Sequence, residues 1–135
     1  MVWNMKLTLE QAYMSMFYYL NRIWDKVKDD KTIYNIDDFG AFMGGINPFL
    51  FKGSMSADPA AWEDWISCVN KIESNNSGEI MLTSVEVFDC MISFIKFYID
   101  DMNFNLNWLI EFIYREKNIC KKDNIIDEWM KNILR

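Results

Sequence analysis

Hydrophobic and polar positions follow a helical rhythm along this chain, and the rhythm occurs twice, 75 positions apart. Residues 7–27 read LTLEQAYMSMFYYLNRIWDKV and residues 82–102 read LTSVEVFDCMISFIKFYIDDM. In the first copy Ala12, Tyr13, Met16, Phe17, Leu20, Ile23, Trp24 and Val27 are apolar. The same places in the second hold Val87, Phe88, Met91, Ile92, Ile95, Tyr98, Ile99 and Met102. That spacing keeps all eight on one side of a helix of about 3.6 residues per turn, so each copy predicts one amphipathic helix with the same buried stripe. The entry signal is duplicated too. Thr8 with Gln11, and Thr83 with Glu86, have the S/T-x-x-E/Q spacing of a capping box, in which each side chain satisfies an orphan backbone N–H.

Shorter patterns fill the intervals. NIDDFGAFMGG, residues 35–45, predicts a second helix capped by Asn35, with Asp37 and Asp38 at the positive end of its dipole and Gly44 and Gly45 ending it. Its counterpart is FNLNWLIEFIYREKN, where Phe104, Trp108, Leu109, Phe112 and Ile113 have helical spacing. A third helix begins with Asp58 as N-cap and Pro59 at its first position, and directs Trp62, Trp65, Ile66 and Val69 inward. Ile126, Trp129, Met130 and Ile133 echo those four residues 64 positions later, in KDNIIDEWMKNIL. The expectation is an all-α fold of about six helices in a single domain over residues 1–135. It consists of two tandem three-helix units, 7–72 and 82–134, joined by the polar linker 73–81. A half of this size is marginal alone, so the two units are expected to share one core with approximate two-fold symmetry. The segment INPFLFKGSMSA, residues 46–57, is longer than its counterpart. Its Phe49, Leu50 and Phe51 are either tucked over the core or form an exposed contact patch.

Composition narrows the function more than it names it. A content of 51% hydrophobic and 16% aromatic residues is far from the disordered regime. No apolar run approaches the roughly 20 residues that span a bilayer, and the opening MVWNMKLTLEQ lacks the pattern of a secretory signal, so a cytoplasmic location is expected. The formal net charge of −6 would repel the phosphate backbone of nucleic acid and disfavours anionic membranes. The charge is also uneven. Between Glu73 and Glu111 stand seven acids and one base, Lys96, whereas from Phe112 onward six bases face four acids.

Catalytic chemistry is not written here. The chain has no histidine, which removes the commonest general base and metal ligand and rules out a Ser-His or Cys-His nucleophile. Cys68, Cys90 and Cys120 are odd in number and lack C-x-x-C spacing, so reduced structural thiols are expected, with neither zinc nor a disulfide framework. The adjacent carboxylates (Asp29-Asp30, Asp37-Asp38, Glu63-Asp64, Asp100-Asp101, Asp127-Glu128) point in different directions from a helix and read as solvated faces. Gly44-Gly45 follows a helix and so is not a phosphate loop, and DKVKDDKTIYN lacks the ligand pattern of a calcium loop. Trp24, Trp65 and Trp129 fall on buried stripes, and stacking on nucleic acid would need a basic groove. No enzyme activity and no cofactor are expected.

Two segments carry a resemblance. LTLEQAYMSMFYYL, residues 7–20, and ADPAAWEDWISCV, residues 57–69, resemble small acidic helical immunity proteins of bacterial contact-dependent growth inhibition and related polymorphic toxin systems. The resemblance covers residues 7–72. The second copy keeps only IIDEWM of the more distinctive DPAAWEDW wording. Membership would imply an antitoxin that binds one toxin domain, often an RNase or tRNase, and a third component could join through the toxin. A nuclease needs a basic surface to hold phosphates, and an inhibitor can meet that surface with carboxylates. The expected contact set is Asp37, Asp38, Glu79, Asp89, Asp100, Asp101 and Glu111, with Phe49 and Phe51 as apolar anchors. The alternative of another class is a non-catalytic helical adaptor or regulatory subunit.

Overall fold

The computed structural model describes residues 6–30, 35–50, 55–72 and 80–119, the last with side chains as far as Glu116. The chain is mostly helical. In order it runs β1 (Leu7–Thr8), α1 (Leu9–Val27), α2 (Ile36–Ile46), α3 (Pro59–Ile72), β2 (Met81–Leu82), α4 (Ser84–Met102) and α5 (Asn107–Ile119). Residues 122–134, where a sixth helix is expected, lie outside the described residues. No described helix is long and apolar enough to cross a membrane.

Both capping boxes form. Thr8 Oγ1 accepts from the Gln11 N–H at 3.2 Å while Gln11 Oε1 accepts from the Thr8 N–H at 3.0 Å. Thr83 and Glu86 repeat the exchange at 3.1 and 2.9 Å. The two helices that follow are each 19 residues long, and their boundaries differ by the same 75 positions as their sequences.

The small sheet was not expected, and it takes Met81, the last residue of the expected linker, as a strand residue. β1 and β2 pair antiparallel with Leu7 opposite Leu82 and Thr8 opposite Met81. Each strand is the extended lead-in to a helix, since an N-cap residue has non-helical dihedrals. Where two such entries lie side by side, their free N–H and C=O groups pair. Leu7 and Leu82 are both buried.

Side chains of all five helices form one hydrophobic cluster. Trp65 of α3 is its hub, fully buried between Tyr13 of α1 at 5.8 Å and Phe94 of α4 at 5.6 Å, edge to face with both. α3 packs more extensively along α4 than along α1, so it rests mainly on the second 19-residue helix. The expected stripe of α1 is buried apart from Trp24, which is half-buried. In α4, Phe88 and Ile99 are half-buried and Met102 is 43% exposed, contrary to expectation. Met102 is the last residue of its helix, while Cys90 and Phe94 take buried positions. In α3, Ala61 and Cys68 are buried beside Trp65 and Val69, whereas Trp62 and Ile66 are half-buried.

Gly44 and Gly45 do not end α2, which continues to Ile46. Ile46 is fully buried, its carbonyl accepts a hydrogen bond from the Tyr13 hydroxyl, and the Gly45 carbonyl accepts from the Asp58 N–H at 2.9 Å. These tertiary bonds satisfy carbonyls that a terminating glycine would otherwise leave to water. Gly40 has a packing role: a Cβ there would sit 3.2 Å from Cη2 of Trp24. Its bareness lets α2 lie close on α1.

Candidate functional site

Three acids gather where α3 and α4 run side by side. Trp65 meets Phe94, and Cys68 hydrogen-bonds Ser93, while Asp64 acts electrostatically on Tyr98. Rising numbers on α3 therefore meet falling numbers on α4, and the start of α3 lies beside the end of α4. That antiparallel run brings Asp64 to Asp100 and Asp101 at one end of an open groove of about 430 Å³. Phe97 forms part of its wall, and Lys71 and Lys96 also line it. Among the described residues, Asp64, Asp100 and Asp101 make no ion pair within 4 Å.

Crowding of like charge is visible at Asp64. Partial burial raises its carboxyl above the usual range, and Asp58 and Glu63 push in the same direction. Deeper in, burial pushes the Tyr98 hydroxyl up to about 12, with Asp64 and Asp58 adding to the effect. Cys68, at the floor of the groove, is raised by burial against an opposing hydrogen bond from Ser93, and burial pushes Cys90 up to about 12. Thiols held protonated are poor nucleophiles at neutral pH. No group of three or more His, Cys, Asp or Glu side chains among the described residues could hold a metal ion.

The structure brings together only some of the residues expected at a contact surface. Asp100 and Asp101 are exposed in the last turn of α4 and line the groove. Asp89 is exposed on the stripe of α4 that runs through Ser93 and Lys96 to Asp100, roughly 16 Å from Asp100 along the axis. Glu111 is exposed on α5 and does not line the groove. Asp37 is exposed in the first turn of α2. Its neighbour Asp38 serves the fold: its Oδ2 accepts the Asn105 backbone N–H at 2.6 Å and ties α2 to the α4–α5 connection. Glu79 and Phe51 lie outside the described residues.

Phe49 is 61% exposed and Leu50 58% exposed, so these two residues of the loop after α2 are not tucked over the core. The Phe49 ring leans on Phe17 at 5.9 Å and on Tyr18 at 6.1 Å, and Asn47 Oδ1 accepts its N–H at 2.8 Å. These contacts hold the backbone and part of the ring, and most of Phe49 stays exposed.

Asp64 is the acidic groove residue that lies outside the expected contact set. Beside Glu63 it looked like one more solvated pair, and no local pattern links position 64 to positions 100 and 101. Only the antiparallel packing of α3 on α4 makes them neighbours. No family model, no curated relative and no solved structure matches the chain.

Proposed function

We propose that this chain is an immunity protein that neutralises a cognate bacterial toxin domain, a nuclease acting on RNA or tRNA, by covering its basic active-site or substrate-binding surface. The observation that carries this reading is the Asp100-Asp101 pair at the end of α4, which lines the groove with Asp64 and makes no ion pair among the described residues. The last turn of a helix is already negative, and acids placed there cost about 0.3–1 kcal/mol each at low ionic strength. α4 has no base in that turn to offset them. A surface that keeps charge at the expense of its own helix is suited to a positively charged partner, which would be steered to it and would relieve the repulsion. Phe49 and Leu50 supply exposed apolar area of the kind that anchors a protein interface.

The same proposal includes the architecture: two copies of one helical unit, six helices in all, related by an approximate two-fold axis within a single domain. Its support is the match of α1 to α4 in length, cap and boundary, together with the pairing of Leu7 with its own counterpart, Leu82. An antiparallel ladder places equivalent residues opposite each other when a two-fold axis passes between them.

The test is co-expression with the toxin encoded next to it, scored as growth rescue, followed by stopped-flow association with the purified toxin domain. Asp100→Lys with Asp101→Lys should slow association by about tenfold or more at low salt and flatten its salt dependence, with the helical circular dichroism unchanged. Absence of rescue by the parent chain overturns the immunity reading. Rescue with unaltered association kinetics in the double variant would remove the end of α4 from the interface.

A further inference from the structure

We draw no further inference here: the strongest candidate, the open groove between α3 and α4 with Asp64, Asp100 and Asp101, belongs to the surface already described, and nothing else among the described residues points to a ligand seated in it.

Discussion

α1 and α4 begin alike and end differently. Both enter from an extended residue pair through a threonine capping box, and both run 19 residues. In the last turn of α1, Lys26 Nζ lies 2.6 Å from Glu116 Oε2, and the same Glu116 accepts from the Tyr19 hydroxyl at 3.1 Å. Asp25, nearby, pairs with Lys28 at 3.5 Å. At the positions of Asp25 and Lys26 the second copy has Asp100 and Asp101, without a neighbouring base in the turn. One helix end is thus neutralised and tethered to α5, whereas the other is left negative and open. The stripe that builds the core is shared by the copies, and the charge at the tip is what separates them.

The sharpest way to break the comparison is to remove the residue on which both helices rest. Trp65→Ala should destabilise the chain by about 3–5 kcal/mol, because it opens a cavity between Tyr13 and Phe94 at once. Urea unfolding followed by tryptophan fluorescence and circular dichroism would measure it, and a loss below about 1 kcal/mol would mean that α3 does not bridge the two helices. Next is the turn that closes α4. Asn103 has a left-handed backbone, φ 60°, and the Phe104 N–H bonds back to the Tyr98 carbonyl at 3.0 Å. Asn103→Ala should cost about 1–2 kcal/mol, since a Cβ without a local hydrogen-bonding partner disfavours that conformation, and Asn103→Gly should not show this loss.

Smaller effects sharpen the electrostatic half of the contrast. Asp100→Lys with Asp101→Lys should raise the stability of the isolated chain by about 0.3–1 kcal/mol per residue at low salt, the opposite direction to its effect on partner association. The smallest expected effect concerns Asp64. Its raised carboxyl means that the folded chain binds this proton more tightly than the unfolded one. Stability therefore falls as pH rises from the ordinary carboxylate range through the raised value. Asp64→Asn should be modestly more stable than the parent near neutral pH, and the gap should close once the pH drops below the ordinary carboxylate range. Urea midpoints at about pH 7 and pH 3 would check this.

What could be read in advance follows the distance over which each feature is decided. The capping boxes, most of the buried stripes of α1 and α4 and the start of α3 at Pro59 depend on residues within a turn or two of one another, and they stand as the residue spacing predicts. The end of α2 depends on Tyr13 and Asp58, which reach its last carbonyls from elsewhere, so Gly44-Gly45 misleads. Met102 keeps the apolar period of its helix and yet is 43% exposed. At the candidate site Asp100 and Asp101 were visible as an acid pair, but Asp64 joins them only through packing, and the tie from Asp38 to Asn105 spans 67 positions.

The pairing of Leu7 with Leu82 has a consequence for how the chain is made. Synthesis delivers β1 and α1 long before β2 and α4, so the apolar face that those later elements cover stays bare until residues beyond 82 have emerged. Closure over so many residues costs chain entropy up front, and the reward arrives only when the second copy emerges. A nascent product stopped before residue 82 would leave that apolar face of α1 bare, so its burial waits on β2 and α4.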